Sequence, residues 1–220
     1  MSILFYHCPL SRSSRGALLA ARAIGVNVTI EEVDLLAKEQ LKPEFIKVNP
    51  QHTVPTLVDR DFVLCESWAI ATYLVQAYGK DDNLYPKDPQ KRAVVNQMLY
   101  FDCTTLTPRI NQITHPILFS GQDEVYDEHK IPLEEALGFL DIFLDEKNFV
   151  TGKTLTIADC FLIASISTIA AIGWDITPYG NINSWFARCS LEIPGYHEVN
   201  QEGAEKYGKL IKSKLASGKL

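Results

Sequence analysis

The sequence predicts an α/β unit followed by an all-α unit. Near the start, two short apolar runs flank an alanine-rich segment that stops at Gly25. Two more short runs flank Arg60-Asp61, and after the polar stretch Lys80 to Lys87 the apolar residues keep only a helical period.

Ser2 to Tyr6 is mostly apolar, precedes Pro9, and reads as a buried strand. Arg12 to Ile24 is rich in alanine and leucine, and Gly25 marks a helix end. Leu18, Ala21 and Gly25 share one face, with Arg15 and Arg22 directed elsewhere; small residues on that face let the helix lie close to a sheet. Asn27 to Val33 sets Val28, Ile30 and Val33 in near alternation and predicts a second strand. Strand, helix and strand in that order imply a parallel pair with a right-handed crossover. Leu41 to Val48 predicts a short helix ending near Asn49-Pro50, and Thr56 to Asp59 with Phe62 to Cys65 predicts a tight hairpin. Ser67 to Tyr78 predicts a helix with Ile70, Tyr73, Leu74, Ala77 and Tyr78 on one face, ending at Gly79. The order β-α-β then β-β-α over residues 1–79 is a thioredoxin-like arrangement.

Residues 80–87 carry Asp81-Asp82 and Pro86 and read as a linker to an all-helical unit at 88–220. Residues 89–119 predict one long helix or two joined pieces, and Leu133, Ala136, Leu137, Leu140 and Leu144 mark the next. Thr156-Ile157-Ala158-Asp159 reads as a capping box. The helix it opens is apolar nearly all round and belongs at the centre of the second unit. Further helices are expected near 179–190 and from about 196.

Composition narrows the function. Of 220 residues, 46% are hydrophobic and 22% charged, as in ordinary globular proteins. The net charge is −6 and no Lys/Arg run exists, which argues against a nucleic-acid partner. The cysteines Cys8, Cys65, Cys103, Cys160 and Cys189 are odd in number and scattered, without CxxC or Cys/His spacing. That pattern predicts free thiols in a reducing, cytoplasmic setting and no metal site. Met1 to Leu10 lacks the basic start and long apolar stretch of a signal peptide. Phe161 to Trp174 is too short to span a bilayer and carries Ser165, Ser167 and Thr168, so no membrane partner is expected.

Three segments carry chemistry. His7 to Arg15 joins the first strand to the first helix, whose N-terminal N–H groups and dipole favour an anion. A serine there can donate its O–H to a thiolate and lower the thiol pKa from about 8.5 toward neutrality. From this loop alone, helix capping is the simpler role for Ser11. In Asn49 to Leu57, Pro55 fixes the turn before a strand. Were the Val54–Pro55 bond cis, the backbone N–H and C=O of Val54 would face the cleft, free for a peptide ligand. In Leu64 to Ile70, Ser67 opens a helix and can hold a carboxylate, while Glu66 can pair with an ammonium. Together they suit an amino-acid head group, or else a capping serine beside an exposed glutamate.

The segments Leu10-Ser11…Arg15, Leu41-Lys42-Pro43-Glu44-Phe45, Asn49 to Leu57, Glu66-Ser67-x-Ala69-Ile70, Leu84-Tyr85-Pro86-Lys87 and Thr156 to Asp159 resemble cytosolic glutathione transferases nearly end to end. The similarity is greatest to the insect delta class, then the epsilon class. The resemblance implies the cytosolic glutathione transferase fold and a homodimer, with the helix around Tyr100-Phe101 as interface. It implies glutathione as co-substrate, no metal, and conjugation to small hydrophobic electrophiles, as in detoxification. It makes Ser11 the catalytic thiolate holder. Val54, preceding a cis Pro55, would pair with the cysteinyl unit, and Glu66 and Ser67 would bind the γ-glutamyl head. His52 would reach the glycyl carboxylate, with Thr53 and Gln40 completing the glutathione-binding set. Thr156 and Asp159 would be structural. Leu10, Thr107, Ile110, Asn111, Thr114, Leu118 and Phe119 would wall the electrophile pocket, although Ile110 and Leu118 fit a plain helix core nearly as well.

Three departures surround this site. Arg12-Ser13 follows the serine where the family often has Pro-Pro or Ala-Pro. Gln40 replaces a frequent histidine, and Asn111 replaces an arginine that some relatives turn to the cleft. Trp68 is a lesser oddity. Ser13 and Ser14 are expected inside the helix, and Tyr6 in the strand. Cys8-Pro9-Leu10-Ser11 resembles the Cys-Pro-x-Ser of glutaredoxins and omega-type transferases, which keeps open a thiol-disulfide oxidoreductase built on Cys8. Strand-to-nucleophile spacing favours Ser11 and leaves Cys8 a buried or flanking thiol. A transferase-like carrier of hydrophobic ligands is the other alternative, disfavoured by the presence of Ser11, His52, Glu66 and Ser67 together. His7, His115, His129 and His197 stand alone and are expected to be surface or internally satisfied residues.

Overall fold

The computed structural model describes residues 3–216, so Met1, Ser2 (the first residue of the predicted first strand) and the last four residues lie outside the described part. Strand β1 (Ile3–His7) buries Ile3, Phe5 and His7 on one face, as period-two alternation requires. Helix α1 (Arg12–Ile24) follows, stopped by Gly25 in the left-handed region at φ 80°. Strand β2 (Val28–Glu32) runs parallel to β1, pairing Ile3 with Val28 and His7 with Glu32. After helix α2 (Pro43–Val48), β3 (Thr56–Asp59) and β4 (Phe62–Cys65) form the expected hairpin. The sheet order is β2-β1-β3-β4, with β3 antiparallel to β1. This is the thioredoxin-like arrangement the sequence predicts.

Helix α3 (Ser67–Tyr78) has the predicted ends but a different inner face. Ser67, Ile70, Ala71, Leu74 and Val75 are buried, while Ala77 and Tyr78 are exposed. Tyr73 and Tyr78 turn sideways, and both hydroxyls donate to the carboxylate of Asp59. The aromatic rings are better placed on a polar partner at the edge than in the core.

The rest of the described chain is helical: α4 (Pro89–Phe101), α5 (Thr107–Phe119), α6 (Asp127–Phe143), α7 (Ile157–Ile172), α8 (Gly180–Glu192) and α9 (Glu202–Lys212). The stretch 89–119 resolves into two pieces joined by a π turn at Asp102–Leu106. Helix α7 is buried on almost every side, as its composition predicts. Asp159, fully buried, accepts from the Thr156 N–H (2.9 Å) and hydroxyl (3.0 Å), closing the capping box. Its other oxygen accepts from the Val150 N–H (2.8 Å) and Trp185 Nε1 (2.9 Å), so one carboxylate ties three segments together.

Helix α1 packs against both α3 and α7. A Cβ on Gly16 would come within 2.6 Å of the Phe161 ring, so a glycine lets these backbones approach. Arg15 corrects the sequence expectation. It does not point away from the packed face but is fully buried, donating to the Asn200 and Ala164 carbonyls and to Thr168 Oγ1. Burial and the neighbouring Arg12 push its guanidinium pKa down to about 9, which leaves it charged at neutral pH. An arginine can be buried here because two backbone carbonyls and the Thr168 hydroxyl meet its terminal nitrogens, leaving Nε alone unpaired among the described residues, a feature that side-chain periodicity does not encode.

His7 is also internal, with Nδ1 2.8 Å from Ser14 Oγ. Burial and the charge of Arg15 lower its pKa to about 4. The folded value lies below the unfolded one of 6.5, so the contribution is full above pH 6.5 and is lost as pH falls toward 4. That shift corresponds to about 3 kcal/mol. The urea midpoint is therefore expected to fall between about pH 6.5 and 4 more steeply in the wild type than in His7→Gln. Equal slopes would show that His7 protonation does not couple to folding.

Candidate functional site

Strand register gathers the predicted site. Tyr6 pairs with Thr56, and Thr56 with Cys65. The loop after β1, the loop before β3 and the turn after β4 therefore leave the sheet at one end. The β2 end lies there too, since His7 pairs with Glu32 and its carbonyl accepts from the Val33 N–H at 2.8 Å. Ser11, Val54, Glu66 and Ser67 follow or precede these ends within a few residues, and Gln40 lies further along the chain after β2.

Ser11 is the N-cap of α1, with extended backbone at φ −84° and ψ 113°. Its Oγ accepts from the Ser14 N–H at 3.3 Å, so capping is real. A hydroxyl both donates and accepts, and among the described residues the Ser11 O–H donates to none. Ser14 cannot substitute. It is fully buried, and its Oγ is engaged by His7 and by the Cys8 N–H. Tyr6 packs edge-on against Phe45 at 5.2 Å.

The Val54–Pro55 bond is cis. Among the described residues, neither the N–H nor the C=O of Val54 has a backbone partner. Asn49 braces the turn, donating to the Thr53 carbonyl and hydroxyl at 3.1 Å each and to Thr56 Oγ1 at 2.9 Å. His52 is exposed, at φ 46°. Glu66 is exposed and sits at φ 72°, a strained conformation for a residue with a Cβ, and such strain concentrates at functional sites. Beside it, Ser67 is 3% exposed, yet its Oγ has no partner, and a buried Gln40 amide oxygen also lacks one. Unpaired buried polar atoms are costly unless a ligand completes them.

Across the cleft stands α5. Thr107, Asn111 and Leu118 are partly exposed along it, and Leu10 is half-buried opposite. Ile110 and Thr114 are fully buried, with Thr114 donating to the Ile110 carbonyl at 3.0 Å, so both are core residues rather than pocket wall. Phe119 is 73% exposed at the far end of the helix. Sequence reading missed the side chain that crosses this space. Arg12 Nη2 donates to Asn111 Oδ1 at 2.6 Å and to the Thr107 carbonyl at 3.2 Å. Two departures from the family pattern thus meet in one contact. The available signal was an arginine in the first turn of a helix, against the dipole and with no acid nearby in that turn. Trp68, the lesser oddity, lies 5.7 Å from Phe161 and bridges α3 to α7.

Comparison with known proteins agrees with this arrangement. Residues 1–76 match the model of the glutathione S-transferase N-terminal domain, and residues 68–192 that of the C-terminal domain. The chain belongs to the glutathione transferase family. It is 50% identical to a delta-class glutathione transferase of Nilaparvata lugens, with TM-score 0.93 over 96% of this chain and 99% of that one. It is 51% identical to the unclassified glutathione S-transferase 2 of Bombyx mori, with TM-score 0.94 over 98% and 99%. A Drosophila mojavensis homologue with bound glutathione is 37% identical, with TM-score 0.92 over 97% and 98%. Epsilon-class enzymes of insects also match.

In this transferase Cys8 is poorly suited to redox chemistry. It is 3% exposed, and burial raises its thiol pKa, whereas a reactive cysteine needs access and thiolate character. Cys8→Ser is expected to keep glutathione conjugation within about twofold of the wild type, and native Cys8 should resist a thiol reagent that titrates Cys65 and Cys103. Loss of activity in Cys8→Ser, with the fold retained, would reopen the oxidoreductase reading. Among the described residues, no helix is long and apolar enough to cross a membrane.

Proposed function

We propose that this transferase forms the glutathione thiolate at Ser11 and conjugates it to small, largely apolar electrophiles held against α5. The observation that carries this is the Ser11 hydroxyl. It sits at a helix N-terminus with its acceptor role filled and its donor role free. Hydrogen bonding to the charged form lowers the thiol pKa. The thiol proton leaves to solvent, and the sulfur pair forms a bond to the electrophilic carbon while the leaving group departs with its own pair. Holding both reactants in one cleft removes much of the entropic barrier.

The remaining contacts position glutathione. Ser67 and the free N–H groups of α3 receive the γ-glutamyl carboxylate, and Glu66 its ammonium. The Val54 backbone pairs with the cysteinyl unit beside Pro55. His52, Thr53 and Gln40 face the glycyl end. The glutathione bound in the Drosophila mojavensis homologue supports a glutathione site in this chain. We take 1–79 as the glutathione-binding unit, 80–87 as linker and 88–220 as the helical unit, because no helix or strand intervenes between Tyr78 and Pro89. A homodimer is supported by Tyr100, 65% exposed on α4 beside a recess lined by Trp68, Thr72 and Cys103. Family membership and free cysteines support a cytoplasmic detoxification role.

The test is a pH titration of bound glutathione by the ultraviolet absorbance of its thiolate, beside the conjugation rate with a chloronitrobenzene. A bound thiol pKa at least about one unit below the free value of about 8.5 is expected. No binding of glutathione would sink the reading.

A further inference from the structure

We propose that Arg12 makes the electrophile site selective for acceptors that carry a carboxylate. The inference rests on the conjugation reading above and names its substrate class. Arg12 directly follows Ser11, and its side chain spans to α5, where Thr107 and Asn111 lie one helical turn apart on the face that the guanidinium reaches. The contacts to the Asn111 side chain and the Thr107 carbonyl both fall on Nη2; Nε reaches Thr107 Oγ1 only at 3.5 Å. Nη1 donates to no protein atom among the described residues, and no carboxylate lies within 4.0 Å of the guanidinium. The acid nearest in effect, Asp102, is buried and accepts from Ser165 Oγ at 2.7 Å.

This placement is unfavourable for the fold itself. The cation stands at the positive end of α1, three residues from the buried cation Arg15. Its contacts fix the guanidinium without neutralising it. A planar, partly exposed cation with a free donor edge is suited to a carboxylate. The two carboxylates of glutathione are assigned to the N-terminus of α3 and to the His52 loop, so the group Arg12 can meet belongs to the second substrate. In the reaction the sulfur–carbon bond forms, the carbon–halogen bond breaks and the halide leaves with its pair; the carboxylate is unchanged and serves only to orient the ring.

The matched pair 4-chloro-3-nitrobenzoate and its methyl ester tests this, since both undergo the same substitution and differ in charge. With the wild type, kcat/KM for the benzoate relative to the ester should be about tenfold higher than with Arg12→Gln, the change lying in KM, and should shrink as salt rises. Arg12→Lys should keep part of the preference, and Asn111→Leu, which frees the guanidinium without removing its charge, should weaken it less than Arg12→Gln. Parallel losses on both acceptors, or weaker glutathione binding in Arg12→Gln with the ratio unchanged, would assign Arg12 to the thiolate or to glutathione and overturn the proposal. Equal ratios in all variants would overturn it as well. A wild type inactive on both acceptors despite binding glutathione would bring down the conjugation reading, and this inference with it.

Discussion

Ser11→Ala is expected to lower the conjugation rate at pH 7 by about 10- to 100-fold, while the affinity for glutathione changes by less than about threefold. Losing the hydroxyl removes a donor to the thiolate and raises the bound thiol pKa by roughly one to two units, and each unit is a factor of ten in thiolate below the pKa. The deficit should therefore close as pH rises above about 9, where the thiol ionises without help. Ser11 also caps α1, so alanine costs about 1 kcal/mol of stability as well. Ser11→Gly separates the two roles, because glycine at an N-cap costs only a few tenths of a kcal/mol. A glycine variant that is folded, binds glutathione and is as slow as alanine identifies the hydroxyl as the thiolate partner. Retained activity in both variants would remove Ser11 from the chemistry.

Asp159→Ala should be the most destabilising single change in the helical unit. The carboxylate is fully buried and accepts from Thr156 N, Thr156 Oγ1, Val150 N and Trp185 Nε1. Alanine leaves these donors unpaired in the core, at a cost of about 3–5 kcal/mol. For a chain of this size that amounts to a fall in melting temperature of about 6–20 °C. Asp159→Asn keeps one oxygen and should lose less, and Thr156→Ala should cost about 1–2 kcal/mol through the cap alone. Thermal denaturation followed by circular dichroism gives all three. A melting temperature for Asp159→Ala within about 2 °C of the wild type would mean that water or a shifted backbone replaces the carboxylate.

Elements whose signal is local were legible in advance. The hairpin about Arg60-Asp61, the ends of α3 and the box at Thr156 to Asp159 all follow from turn chemistry and capping within a few residues. So did the segments of the candidate site, because the proline loop and Glu66-Ser67 carry their pattern in consecutive residues. Long-range partners were not legible. Arg15 was read as turned away from the core, yet α7 and the turn before α9 supply the carbonyls that bury it. Ile110 and Thr114 were placed in a pocket wall that only the packing around α5 could deny them. The reach of Asp159 to Trp185 and of Arg12 to Asn111 spans distant parts of the chain that no periodicity connects.

By itself the sequence determined the order of elements, the family and the residues from which a glutathione site can be built. Each depends on backbone propensity, caps and motifs that act over one turn or one loop. The tertiary structure alone decided which polar side chains are buried and paired, that the Ser14 hydroxyl is taken up inside the fold, and which cation stands across the cleft. Those depend on where distant carbonyls, amides and apolar surfaces meet, and burial turns a weak exposed contact into one that fixes a charge.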